Sequence, residues 1–331
     1  MLARRLLTTI TGGSFAGRLL TMNTPNFADV IGLRVRQAET KQANTPTAGV
    51  ETTIFTVASG AGAITSLWLT FGNGSAGYTG FDLLLQVYTD GSGTPDIAMD
   101  VGTFFGYAYT NNLASGYVSS QNFSAFSNGA SHNRVGGQCL LPIPFTNGVT
   151  VTLKNVASSV TQTYYSQVGY ALTADNAGWA QPPYRLHTNG VTAASSTAGP
   201  ASGVDFTLHS ISGGPGIIVA HSMCAVGASS LGYLERNVGL FIDGEGSASI
   251  ESSGSEDWWR HPWYFNWGNN SAPAALSWGT SGNYFSALVD FAALTGGYAF
   301  TSSAILKWLT NAQTSSDVST YASCLHYYLH T

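Results

Sequence analysis

The sequence predicts an all-β chain of two sandwich- or barrel-like halves, with one short helix near the C-terminus. Three observations carry this. Apolar and polar residues alternate with a period of two in many runs, as where Val149, Val151 and Leu153 interleave with Thr150, Thr152 and Lys154. Gly, Asn, Ser and Asp turn signals separate the runs at the spacing of sandwiches and barrels. A turn-rich connection at 173–203, holding Asn176, Gly178, Pro182, Pro183, Asn189, Gly190, Gly199 and Pro200, divides them into two comparable sets. A chain of 331 residues has ample material for two cores.

Residues 1–48 are polar and aperiodic and read as an N-terminal arm. Arg4, Arg5 and Arg18 form its basic cluster, and Thr8, Thr9, Thr11, Gly12 and Gly13 interrupt the apolar run that a signal peptide needs. The first domain, 49–172, has strands at 52–57, 63–71, 81–89, 149–154 and 164–172. Its long Tyr/Asn/Ser/Gly-rich loop at 107–137 has the length of a functional, partner-contacting or disordered loop. Asp90 to Asp96 lacks the ligand density and terminal Glu of a calcium loop and reads as a hairpin turn. After the connection, the second domain, 204–331, has strands at 204–211, 216–226, 238–242, 284–292, 297–301 and 321–329. Gly213-Gly214-Pro215-Gly216 is a turn, because a strand rather than a phosphate-cradling helix follows it. Only 303–312, with Ile305, Leu306, Trp308 and Leu309, has the spacing of an amphipathic helix.

A formal charge of −5 leaves no basic field for nucleic acid, and no apolar stretch is long enough to span a bilayer. Cys139, Cys224 and Cys324 lack CxxC spacing and read as buried free thiols. The seven histidines show neither HxH nor HExxH spacing, so zinc chemistry is not indicated, and no cofactor motif is present. Low charge with abundant Gly, Ser, Thr, Ala and Asn, without an export signal or disulfides, fits a virion protein exposed after lysis, with secretion as the alternative.

Because only 9% of residues are charged, the acids Glu235, Asp243, Glu245, Glu251, Glu256 and Asp257 stand out. They lie beside Trp258, Trp259, Trp263, Tyr264 and Trp267, and paired carboxylates among aromatics are what a carbohydrate site is built from. The same acids also read as surface groups at strand ends, and the aromatics as core or inter-subunit packing.

The order of several motifs adds a family likeness. Gly60-Ala61-Gly62-Ala63-Ile64-Thr65-Ser66-Leu67-Trp68-Leu69 is followed by Asp90-Gly91, Pro95, Thr103-Phe104-Phe105-Gly106, Ile143-Pro144-Phe145 and Tyr164-Tyr165. Then come Tyr233-Leu234-Glu235-Arg236-Asn237, Asp243-Gly244-Glu245, Ser252 to Trp258, and Tyr321 to Tyr328. From about residue 50 to the C-terminus the chain resembles the DUF2961 family, which includes glycoside hydrolase family 172. The resemblance implies two tandem jelly-roll β-sandwiches, a double jelly roll, assembled as a homotrimer like those of virus capsid proteins. Characterised members are retaining furanosidases on fructofuranosyl or arabinofuranosyl linkages.

Carried over by position, Glu235 is the expected nucleophile and Glu256 the general acid/base, with Asp257 raising the pKa of its neighbour. Trp258, Trp259 and Trp263 are the expected apolar wall or sugar-stacking face, Phe104 and Phe105 would close the pocket from the first roll, and His261 lies five residues past Glu256. Arg236 replaces a family glycine and could pair with either glutamate or block the pocket. The combined expectation is a trimeric structural protein of a phage particle, in a capsid, head-decoration, fibre or tail role. Its partners would be its own copies, other virion proteins and a cell-surface glycan; the alternative is an active retaining furanosidase.

Overall fold

The computed structural model describes residues 33–72, 82–108, 115–128, 134–156, 163–179, 182–192, 198–261, 263–266, 268–281 and 283–331. The arm's Arg4, Arg5 and Arg18, the segment read against a signal peptide, and Trp267 lie outside the described residues. The first eleven strands are β1 (Val35–Asn44), β2 (Glu51–Val57), β3 (Gly62–Gly72), β4 (Leu83–Thr89), β5 (Ile97–Asp100), β6 (Gly116–Ser119), β7 (Phe123–Ser127), β8 (Arg134–Cys139), β9 (Ile143–Phe145), β10 (Val149–Asn155) and β11 (Thr163–Leu172). Helix α1 (Val101–Phe105) joins β5 to β6. The next eleven are β12 (Tyr184–Val191), β13 (Phe206–Ser212), β14 (Gly216–Gly227), β15 (Asn237–Ile242), β16 (Ile250–Glu251), β17 (Asn270–Ala272), β18 (Ala275–Ser281), β19 (Tyr284–Asp290), β20 (Tyr298–Phe300), β21 (Ser303–Leu309) and β22 (Val318–His330). Helix α2 (Ser255–Trp258) follows β16, and α3 (Phe291–Thr295) follows β19.

The first roll pairs a sheet ordered β1-β11-β3-β8-β7-β6, with β9 on β3, against one ordered β2-β10-β4-β5. The second pairs β12-β22-β14-β19-β18-β17, with β20 on β14, against β13-β21-β15-β16. Adding eleven to each strand number of the first roll gives the second, so the rolls are topological duplicates. Both Asp-Gly hairpin turns are built alike: Asp90 and Asp243 take left-handed φ of 58° and 52° and their carboxylates accept backbone N–H groups.

Several expectations need correction. The helix expected at 303–312 is strand β21, because Ala304, Leu306 and Trp308 alternate inward and are buried while Ile305, Lys307 and Leu309 are half-exposed. The supposed loop 107–137 contains β6, β7 and the start of β8; their glycines and serines hid a sheet edge, and 109–114 and 129–133 lie outside the described residues. Part of the expected arm is β1, which pairs with β11, and part of the expected connection is β12, which pairs with β22. Both are polar edge strands, so they carry little hydrophobic alternation.

The large sheet of the second roll is covered on both faces. β14 is buried over almost its whole length, and β22 from Tyr321 to Tyr328, which is why these runs read as continuous rather than alternating. Its outer face packs on the first roll, whose core cluster takes in Ile217, Val219, Leu276, Trp278, Leu288 and Tyr328. Helix α1 is the key to this seam. Carbonyls at its C-terminal end accept from the second roll: Ser222 Oγ donates at 2.5 Å to Thr103 O, which also takes the Gly106 amide, and Ser286 Oγ and Trp278 Nε1 donate to Gly106 O at 2.9 and 3.1 Å. Gly106 is left-handed (φ 79°), and a Cβ there would lie 2.9 Å from Leu288 Cβ, so only glycine fits this approach. The cysteines are free and buried, as expected.

Candidate functional site

Glu235 ends a single 3-10 turn, Gly232–Glu235, anchored by the buried Tyr233 and Leu234. Glu256 lies on α2. Chain linkage at Ser255 brings the two together: Ser255 Oγ donates to the carbonyl of Arg236 at 2.8 Å and accepts from Trp308 Nε1 at 2.6 Å. The residue after one glutamate is thus bonded to the residue before the other.

The two carboxylates meet different surroundings. The phenol of Tyr264 donates to Oε1 of Glu235, and Asn311 Nδ2 donates to the Glu235 backbone carbonyl. Oε2 of Glu256 is buried without a hydrogen-bond partner among the described residues. Burial, then the charges of Asp257 and Glu235, push the Glu256 carboxyl up to about 7, against an opposing backbone hydrogen bond. The segment presenting Tyr264 is strained, with left-handed φ of 60° at Arg260, 48° at Trp263, 53° at Tyr264 and 60° at Phe265. Four non-glycine residues so placed in six positions cost conformational energy that the fold must offset, and such clusters mark functional segments.

The other expected residues disperse. Arg236 turns away from both glutamates: it is fully buried, its Nη1 and Nη2 donate to Val204 O and Ala201 O at 2.7 and 2.5 Å, and it stacks over Trp308. It clamps the chain leading into β13 instead of pairing with a carboxylate. Phe104 and Phe105 are fully buried in α1, with Phe104 against His326 at 4.8 Å; they seal the seam and close no pocket. Trp259 is core, 5.2 Å from Phe285, and is no sugar wall. Trp258 is buried except for an edge, whereas Trp263 is 71% exposed. His261 is buried, with Nε2 3.3 Å from Gly268 O.

An open cavity of about 570 Å³ lies beside α2, lined by Glu251, Ser253, Asp257, Trp258, Arg260 and His261 among others. Asp257 and Trp258 form part of its wall, but neither Glu235 nor Glu256 lines it.

Residues that the sequence reading did not single out hold α2 in place. Trp258 Nε1 can only donate, and it lies 3.1 Å from His221 Nδ1. His221 therefore carries its proton on Nε2, 2.9 Å from Ser323 Oγ. Ser323 can then donate to His209 Nε2 at 2.7 Å, and His209 Nδ1 to Asn189 Oδ1 at 3.1 Å. Burial, then neighbouring histidine charge, lowers His209 to about 3 and His221 well below its ordinary value, so both rings are neutral, as this chain of bonds requires. Tyr264, next to Trp263, had a local aromatic signal; His209, His221 and Ser323 are separated in sequence and had none.

A family model described as GH172 domain-like matches residues 36–168. This region runs from β1 into β11, most of the first roll, and ends before either glutamate. No curated protein matches this chain in sequence. Among solved structures, a chain of the Sputnik virophage is 9% identical, with 89% of this chain and 85% of that chain covered and a TM-score of 0.31. A chain of infectious bursal disease virus strain Gx is 14% identical over 90% of this chain and 72% of its own, with a TM-score of 0.20.

Proposed function

We propose that this chain is a double jelly-roll structural protein of a virus particle, in keeping with its charge-poor composition, and that it assembles as a trimer with a glycan pocket beside α2. The observation that carries the reading is the seam: one roll covers the outer sheet face of its duplicate, so the two make one building block with a repeated surface. Light scattering on the purified protein tests it, with a mass three times 34.7 kDa expected. A monomer at every concentration would overturn it.

One observation favours a second reading, a retaining furanosidase: Glu256 holds its proton near neutral pH while Glu235 accepts a hydrogen bond from Tyr264. In that chemistry Glu235 attacks the anomeric carbon as Glu256 protonates the leaving oxygen; Glu256 then deprotonates the water that releases the sugar from Glu235. Hydrolysis of arabinofuranosyl and fructofuranosyl substrates by wild type and its loss in Glu235→Gln would support it. Equal activity in both, or none in either, would remove it.

A further inference from the structure

We propose that the outer face of the small sheet in the first roll binds a neutral sugar ring, stacked on Tyr88 and hydrogen-bonded by Thr53, Thr56, Thr150 and Glu51. This site lies on β2, β4 and β10, shares no residue with the cavity beside α2, and depends on neither the trimer nor the glutamate pair.

The face follows from the strand pattern. On β10, Val149, Val151 and Leu153 enter the core, so Thr150 and Thr152 point outward. Register sets Thr150 between Thr56 of β2 and Tyr88 of β4, and Thr152 between Thr53 and Gln86. Over these rows lies an open hollow of about 430 Å³, lined by Glu51, Thr53, Thr56, Tyr88, Thr150 and Thr152 among others. Thr56 Oγ1 and Thr150 Oγ1 lie 3.3 Å apart, so their hydroxyls face it as a pair.

Tyr88 is fixed in its position. Gln86 Nε2 donates to its phenol oxygen at 3.0 Å. The two residues are neighbours on one face of one strand, about 7 Å apart, so a ring whose oxygen reaches Gln86 lies along the strand rather than standing off it. Burial, then the charge of Glu51 and a hydrogen bond to it, raise the phenol above its ordinary value. The phenol therefore keeps its proton and donates to Glu51. A half-buried ring held at its tip from two sides offers an ordered π face, whose negative charge attracts the partly positive C–H groups of a pyranose.

The floor of the hollow is under-satisfied. Thr152 Oγ1 and Gln86 Oε1 have no hydrogen-bond partner among the described residues, and Thr152 and Gln86 are only 4% and 8% exposed. Whichever way the Gln86 amide is turned, one of its two polar groups stays unpaired. Unmade buried hydrogen bonds cost free energy, and a sugar hydroxyl, which donates and accepts at once, supplies the partner that Thr152 lacks. The one charged residue lining the hollow is Glu51, which accepts from a sugar diol and repels phosphate, sulfate and carboxylate groups.

The duplicate roll shows what the same face looks like when the chain fills it. Phe241 stands two residues before Asp243 as Tyr88 stands two before Asp90. Its register partner on β21 is Ile305, where Tyr88 has Thr150, and Lys307 pairs with Gly239, where Thr152 pairs with Gln86. Lys307 Nζ lies 4.6 Å from the centroid of the Phe241 ring and caps it. Among the described residues no cation covers Tyr88. The two faces have diverged from one pattern, one capped by its own lysine and the other left as an open platform of hydroxyls.

Saturation-transfer NMR with the methyl glycosides of glucose, galactose and mannose, on wild type, Tyr88→Ala, Tyr88→Phe and Thr150→Val, tests this. At least one glycoside should bind wild type with a Kd on the order of millimolar, as befits about a dozen heavy atoms on an open face. Tyr88→Ala should weaken binding roughly tenfold and Thr150→Val roughly threefold, while Tyr88→Phe keeps most of it. Circular dichroism should stay unchanged; if Tyr88→Ala does not fold, the isosteric Thr150→Val carries the test. Binding that is the same in wild type, Tyr88→Ala and Thr150→Val places the sugar elsewhere and overturns this site, leaving the glycan pocket beside α2 standing. No transfer from wild type to any of the glycosides overturns it as well.

Discussion

The phenol of Tyr264 bonds to the carboxylate of Glu235 from a backbone held in the left-handed region. A strained residue keeps such a conformation only where its surroundings over-determine it, and this bond is one of those restraints. Tyr264→Phe should therefore destabilise the fold by about 1 kcal/mol, since a half-exposed hydrogen bond to a charged group is worth less than a buried one. Hydrogen exchange should rise selectively over 260–266. Unchanged exchange there would show that the loop is held by packing of Phe265 and His261 alone.

Glu256 gives the protein a pH dependence of opposite sign to that of most carboxylates. Its folded-state pKa of about 7 lies above the ordinary value of 4.5, so between these the folded state binds more protons than the unfolded, and stability falls as pH rises through that window. Glu256→Gln, which cannot ionise, should be more stable than wild type at pH 8 by roughly 1 to 2 kcal/mol, a figure reduced for the solvent that reaches the side chain. At pH 4 the two should be equal. Urea denaturation at both values checks this, and a wild type that gains stability from pH 5 to 8 relative to the variant would contradict it.

The strands legible in the sequence were those with one face in a core and the other in solvent, such as β10 and β15, or with a long apolar run, such as β14. β1, β6 and β12 were not, because edge strands of small and polar residues carry little alternation, and β7, though paired on both sides, is a five-residue Phe-Ser-Ala-Phe-Ser run too short to stand out. Within 303–312 the spacing of Ile305, Leu306 and Leu309 imitates a helix, and only the partner strands β13 and β15 decide the matter. The acids of the site stood out because charge is so scarce. Arg236 misled for a local reason: adjacency to Glu235 in sequence says nothing of direction, and in a chain leaving a 3-10 turn successive side chains point to different sides.

Ser323 is the junction of the buried relay between Trp258 and Asn189, accepting from His221, with its one hydroxyl proton in reach of His209 Nε2 and of the Ser222 carbonyl. Ser323→Ala leaves Nε2 of both rings without that partner inside the second roll. Each loss costs desolvation that nothing returns, so destabilisation of about 2 to 4 kcal/mol is expected. Because the relay ends on α2, the quenching of tryptophan fluorescence should change as well. A cost below about 0.5 kcal/mol would mean that water replaces the hydroxyl.

Arg185 on β12 bonds to Asp90 in the hairpin turn of the other roll, with Nε at 3.0 Å from Oδ2, and also donates to Thr146 Oγ1 at 3.0 Å. Burial alone would raise the Asp90 carboxyl, but hydrogen bonds from the Asn147 amide, Arg185 and Thr146 outweigh it and hold the carboxyl below its ordinary value. With the folded pKa depressed, the stabilisation is complete above the unfolded value of about 4 and is lost as pH falls through the folded one. Asp90→Asn should therefore cost about 1 to 2 kcal/mol at pH 7, and the difference from wild type should shrink as pH falls below the unfolded value of about 4. Asp243, in the matching turn of the second roll, accepts from Thr301, Ser302 and Ser303 of its own roll. Asp243→Asn should thus loosen only its own turn, whereas Asp90→Asn should also raise hydrogen exchange along β12, across the seam. Equal exchange profiles in the two variants would show that the Arg185 contact does not join the rolls.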